Sequence, residues 1–211
     1  MKRACPILFF CLIACTALLP AGEARFMTYP DIHGDRVVFV YEDNLWMVDA
    51  GGGEARRLTG FPGTALGPKF SPDGAWIAFS ADYDGPQSVY LMPATGGEPR
   101  RLTWQPGRLQ AVAWTPDGRR VVFRGDTEQF IHRDPQLYWV ALDGSVPERL
   151  PVDRGTLCSF SADGGQMFFT RKGNEEYQWK RYKGGQHTDI WHYDFATKKF
   201  TPVSDYTGKN A

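Results

Sequence analysis

The sequence predicts an all-β chain built from repeated four-stranded antiparallel units, and three observations carry that prediction. A turn followed by an apolar run recurs: Phe70-Ser71-Pro72-Asp73-Gly74-Ala75-Trp76-Ile77-Ala78-Phe79, then Trp114-Thr115-Pro116-Asp117-Gly118-Arg119-Arg120-Val121-Val122-Phe123, then Phe160-Ser161-Ala162-Asp163-Gly164-Gly165-Gln166-Met167-Phe168-Phe169. A weaker copy, His33-Gly34-Asp35-Arg36-Val37-Val38-Phe39, precedes them, and the glycines at 34, 74, 118 and 164 step by 40, 44 and 46 residues. The 211 residues hold 14% aromatics, 23 Gly and 15 Pro, and no amphipathic pattern of helical length follows residue 24, as short strands joined by tight turns require. Four-stranded units of about 40 to 50 residues are the signature of β-propeller blades.

The repeated turn has a physical reason. Pro72 presets φ, Asp73 tolerates turn conformations and Gly74 supplies a positive φ at no steric cost, so the segment reads as a hairpin loop between two strands. Ser71 and Ser161 sit in these turns, where a hydroxyl ordinarily bonds the local backbone.

Each unit then divides into four pieces. The first is short and mixed, at 26–32, 65–70, 109–114 and 156–160. The second is the apolar run after the glycine turn, apolar on both faces, which predicts burial on both. The third carries an aromatic at a fixed place: Trp46, Tyr90, Tyr138 and Trp191. The fourth is polar and basic: Arg56-Arg57-Leu58-Thr59, Arg100-Arg101-Leu102-Thr103, Glu148-Arg149-Leu150-Pro151 and Lys198-Lys199-Phe200-Thr201. Its charges and prolines suit a solvated outer edge strand, and recurrence at one position of every unit favours that reading over a polyanion patch. The blades are expected near 26–60, 65–104, 109–151 and 155–202, with 203–211 opening a fifth, so that 25–211 reads as part of a larger propeller.

Residues 1–24 read as a secretory signal peptide. Lys2 and Arg3 precede an uncharged apolar run from Ala4 to Leu19, and Gly22-Glu23-Ala24 offers small residues for cleavage. That run is shorter than the roughly 20 residues that span a bilayer. The protein is therefore expected to be exported, periplasmic or secreted, with no membrane association after cleavage; lipidation at Cys15 is not expected. Cys5, Cys11 and Cys15 fall within the signal, leaving Cys158 alone, so no intrachain disulfide is expected. With 24 basic and 24 acidic residues, the chain has no electrostatic footprint for nucleic acid.

The sequence contains no G-x-S-x-G elbow, no H-E-x-x-H, no C-x-x-C and no glycine-rich phosphate loop, so no catalytic residue, metal or cofactor is expected. His132-Arg133-Asp134 is the most suggestive cluster, but it lies in the link before a third strand and reads as loop structure. His187 and His192 flank Asp189, without a third ligand at a metal-site spacing.

Two further stretches resemble a known family. Pro30-Asp31-Ile32-His33-Gly34-Asp35-Arg36-Val37-Val38-Phe39-Val40 with Asp43-Asn44-Leu45-Trp46 is similar to the start of the first propeller of tricorn protease. Trp179-Lys180-Arg181-Tyr182-Lys183-Gly184-Gly185 with Asp189-Ile190-Trp191 is similar to its fourth-blade insertion. The Ser-Pro-Asp-Gly blades also resemble TolB-like repeats. The tricorn resemblance implies an incomplete six-bladed propeller from the front of a large serine peptidase, whose nucleophile lies in C-terminal domains outside these residues. It implies peptide or protein substrates reached through that parent, with a homo-oligomer of the parent as a further possibility. In the family, consecutive arginines between the second and third blades anchor a substrate's terminal carboxylate, a task suited to a guanidinium fork. Here the loop Trp104-Gln105-Pro106-Gly107-Arg108 is shorter and holds one arginine, so Arg108 is the substrate-binding candidate beside the alternative of a solvated loop residue. A TolB-like interaction module without catalysis, or the propeller of a prolyl-oligopeptidase-like enzyme, are the competing readings.

Overall fold

The computed structural model describes residues 26–126, 135–171 and 189–204. These form four antiparallel sheets, each a meander of four consecutive strands. Blade 1 comprises β1 (Thr28–His33), β2 (Arg36–Tyr41), β3 (Asn44–Asp49) and β4 (Arg56–Arg57), and blade 2 comprises β5 (Ala65–Phe70), β6 (Trp76–Ala81), β7 (Ser88–Pro93) and β8 (Arg100–Arg101). Blade 3 runs through β9 (Gln110–Trp114), β10 (Arg120–Gly125), β11 (Gln136–Ala141) and β12 (Glu148–Arg149), and blade 4 through β13 (Leu157–Phe160), β14 (Gln166–Thr170), β15 (Ile190–Asp194) and β16 (Lys199–Pro202). The all-β propeller architecture expected from the repeat is present.

The turn motif works as a small hydrogen-bonded device. The Ser71 hydroxyl donates to Asp73 Oδ1 at 2.5 Å and accepts from the Trp76 amide at 2.9 Å, while Asp73 Oδ1 accepts from the Ala75 amide at 3.0 Å. Thr115 with Asp117 and Ser161 with Asp163 repeat the arrangement. Gly74 takes the required positive φ of 67°. The hydroxyl first, and the backbone amide after it, hold each of these three carboxyls below its ordinary pKa.

Three apolar layers join the blades. Val38, Val40 and Leu45 of blade 1 meet Ile77, Phe79 and Tyr90 of blade 2. Ala78, Val89 and Leu91 of blade 2 meet Val121, Phe123 and Tyr138 of blade 3, and Val122 and Leu137 of blade 3 meet Met167, Phe169 and Tyr193 of blade 4. β6 and β10 thus turn alternate residues to the blade before and the blade after. β6 and β10 are buried on both faces, as the sequence predicts, but β14 is not: Met167 and Phe169 are buried, whereas Gln166 and Phe168 are exposed. Among the described residues no blade covers that side, so its residues remain in solvent.

The outer strands correct two sequence readings. The third strand opens with an amide that donates to a hydroxyl two positions past the paired arginine: Leu45 to Thr59 and Val89 to Thr103, each at 2.9 Å. In blade 4 the same bond runs from the Ile190 amide to Ser204, also at 2.9 Å, and the Val203 amide donates to the Ile190 carbonyl as Leu58 does to Leu45. Val203 and Ser204 therefore close blade 4 rather than opening a fifth blade; residues 205–211 of that expected strand lie outside the described residues. Lys198-Lys199 is not the counterpart of the arginine pairs, because Lys198 belongs to the turn and Lys199 pairs with Asp194.

The arginine pairs are also more than solvated edge charges. Arg57 and Arg101 each donate from Nε to a carbonyl of their own strand end, Thr59 at 2.6 Å and Thr103 at 2.7 Å. Arg56 reaches the next blade, donating to the Thr95 carbonyl at 3.3 Å, and Arg100 likewise donates to the Leu142 carbonyl.

Candidate functional site

The connectors from each outer strand to the next inner strand share one end of the blades with the loops between second and third strands. On the blade 2 to blade 3 connector, Arg108 is exposed and its backbone amide donates to Asp126 Oδ1 at 3.0 Å. The Thr64 amide meets Asp82 Oδ1 in the same way at 2.6 Å, so a strand-end aspartate is the local anchor for this connector type. Gly107, at φ 102°, turns the chain into Arg108. The Arg108 guanidinium has no hydrogen bond or ion pair among the described residues, which leaves its fork available to an acceptor from solution.

Trp104 opens the same connector and is 69% exposed, an unusual state for so large an apolar ring. It is held from beneath: the Arg101 guanidinium lies 4.5 Å from the ring centroid. That guanidinium is itself fixed by donation to the Thr103 carbonyl, the Asp84 carbonyl and Ser88 Oγ at 2.7, 3.3 and 2.8 Å. A ring whose support is fully hydrogen-bonded is a preorganised contact surface. One connector back, Phe61 stands 5.3 Å from Tyr83, and burial pushes the Tyr83 hydroxyl up. Among the described residues this connector offers an exposed aromatic face at Trp104 and an unpaired guanidinium at Arg108, groups suited to an apolar side chain and to a carboxylate. Sequence reasoning singled out Arg108 as a candidate and passed over Trp104; the signal was a tryptophan following Arg-Arg-Leu-Thr, outside any strand pattern.

The other sequence candidates fall elsewhere. His132, Arg133, Asp134 and His187 lie outside the described residues. His192 faces away from blade 3, its ring 5.1 Å from Phe168, and the described residues contain no group of three His, Cys, Asp or Glu side chains arranged for a metal. Cys158 turns toward blade 3 beside Val122 and Phe169, where burial pushes its thiol up to about 12; such a thiol is a packing group rather than a nucleophile.

Known proteins share this architecture. The crystal structure of the tricorn protease superposes with a TM-score of 0.73 at 26% identity, over 88% of this chain and 19% of that one. TolB from Acinetobacter baumannii superposes with a TM-score of 0.63 at 21% identity, over 84% of this chain and 43% of its own, a likeness of fold alone. Tricorn protease of Thermoplasma volcanium is 26% identical over 176 residues, and a tricorn protease homolog of Saccharolobus solfataricus is 28% identical over 171. The chain spans 17% and 16% of the length of those two relatives. A family model described as the tricorn protease N-terminal beta propeller domain matches residues 24–211, and the chain belongs to that family.

Proposed function

We propose that this chain is the non-catalytic N-terminal propeller portion of an exported tricorn-type serine protease, guiding or filtering peptides and supporting catalytic domains outside these 211 residues. The observation that carries the reading is the family match over 24–211, joined to a connector that offers Arg108 and Trp104 to solvent. Arg108 takes the terminal carboxylate of a peptide, and Trp104 supports the neighbouring side chain. Export rests on the basic, apolar and small-residue order of residues 1–24.

The test uses the purified full chain with one fluorescent peptide in two forms, free acid and C-terminal amide. The expected outcome is no hydrolysis, with the acid binding about tenfold more tightly than the amide and Arg108→Ala abolishing that difference, as loss of one charged hydrogen-bonded pair implies. Measurable hydrolysis overturns the non-catalytic role, and equal binding of acid and amide overturns the role of Arg108. Amino-terminal sequencing of protein recovered from an export-competent host checks the signal: an intact Met1 contradicts it.

A further inference from the structure

Blades 2, 3 and 4 each present a pair of rings to the blade before. A phenylalanine fourth along the second strand stands opposite the aromatic of the third: Phe79 with Tyr90, Phe123 with Tyr138, Phe169 with Trp191. In blade 2 a third ring closes over the pair, since Tyr83 lies 5.3 Å from Tyr90 and 6.1 Å from Phe79. Blade 4 differs. Beside Phe169 and Trp191 a groove of about 450 Å³ opens between blades 3 and 4, lined also by Pro151, Asp153, Arg171 and Phe200.

Arg171 gives this groove its polarity. Its guanidinium lies 5.1 Å from the Trp191 ring centroid, and a terminal nitrogen donates to the Asp153 carboxylate. Its Nε is buried and has no hydrogen-bond acceptor. A buried N–H without an acceptor is costly, so the position favours a ligand oxygen. Asp153 already balances the charge of Arg171, and a neutral carbonyl therefore suits the site better than a second carboxylate.

We propose that the groove between blades 3 and 4 binds an aromatic side chain of a peptide, with the peptide's own backbone carbonyl accepting from Arg171 Nε. The ring takes on Phe169 and Trp191 the place that Tyr83 takes on Phe79 and Tyr90. The volume lies within the range of about 300 to 1,000 Å³ typical of small-ligand pockets, enough for a ring and its flanking peptide units. None of its residues belongs to the connector carrying Arg108, so the two sites stand or fall separately.

Calorimetric titration of the full chain with N-acetyl-phenylalanine amide tests the proposal. Saturable binding is expected, about tenfold weaker in Arg171→Met, which keeps the aliphatic stem but removes the donor, and about threefold weaker in Phe200→Ala, an exposed position whose loss the fold tolerates. N-acetyl-phenylalanine as the free acid is expected to bind more weakly than the amide, and N-acetyl-leucine amide more weakly still. Absence of saturable binding, tighter binding of the acid, or equal affinity in wild type and Phe200→Ala overturns the proposal. Phe200→Ala decides the matter if Arg171→Met does not fold.

Discussion

The seams between blades 1 and 2 and between blades 2 and 3 differ in kind from the seam between blades 3 and 4. In the first two, polar groups cross from blade to blade. Asp31 accepts from the Phe70 amide at 2.8 Å and pairs with Lys69, Ser80 accepts from the Ala111 amide at 2.7 Å, and Arg56 and Arg100 reach turn carbonyls of the following blade. In the third, the position of Arg56 and Arg100 is taken by Glu148, which turns back to accept from Trp139 Nε1 at 3.0 Å within its own blade. Among the described residues the crossing there is made by rings, beside the Arg171–Asp153 pair that lines the groove: Trp139 stacks on Phe195 of blade 4 with centroids 6.3 Å apart, and Phe195 on Phe160 at the same spacing. The difference teaches that the repeat keeps strand order and core, while the chemistry of each joint is free to change, and a groove lies at the joint that changed.

The largest expected effect contrasts a seam with a side that has none among the described residues. Phe123, fully buried between blades 2 and 3, is expected to cost about 3 to 5 kcal/mol when replaced by alanine, whereas Phe168→Ala, on the exposed face of blade 4, should cost about 1 kcal/mol or less. Urea unfolding midpoints measure both, and equal losses break the comparison.

A smaller effect separates two glycines with nearly the same backbone. Gly74 and Gly164 have φ of 67° and 72°, so alanine strains both by about 1 kcal/mol. Only at Gly74 would the added methyl overlap side chains across the first seam, the His33 ring and the Arg36 guanidinium; at Gly164 the nearest atom, on Pro116, is 3.9 Å away. Gly74→Ala is expected to cost about 1 to 2 kcal/mol more than Gly164→Ala, and a background carrying both His33→Ala and Arg36→Ala should remove the excess. Persistence of the excess in that background contradicts the seam reading.

At the outer edge, Arg100→Ala removes a bond that crosses a seam and is expected to cost about 1 kcal/mol. Glu148→Ala removes only bonds within blade 3 at an exposed site and should cost about 0.5 kcal/mol or less. Thermal melts of the two variants in parallel sharpen or erase the distinction.

The smallest effect is one the seams do not distinguish. Asp73, Asp117 and Asp163 each have a folded pKa below the unfolded one, so their contribution is present above the ordinary carboxylate pKa near 4 and is lost as pH falls through the folded value. Asp73→Asn and Asp163→Asn should therefore flatten the acid limb of stability below about pH 4 to a similar, small extent. A large loss at one of them alone would show that its turn also serves a seam.

Legibility in the sequence varied with the range of the interactions. The Ser-Pro-Asp-Gly turns were readable because every bond in them closes within five residues, as Ser71 to Trp76 does. The end of blade 4 was not, since Lys198-Lys199-Phe200 imitates the basic edge pattern while the true closure depends on the Ile190 amide finding Ser204 fourteen residues away. Trp104 was passed over because its neighbours mark it only as a residue outside any strand, whereas the exposed ring held by Arg101 is a contact of side chains in space.

By itself the sequence determined the strand order, the turns and the blade repeat, all of which follow from local φ preferences and a two-residue alternation of apolar side chains. Only the tertiary structure decided which faces are buried and what each seam is made of. Arg56 and Arg100 become staples because the next blade's turn carbonyl lies within reach, and Phe168 stays exposed because no described blade covers it. Those outcomes depend on the position of a neighbouring sheet, which no window of residues along one strand contains.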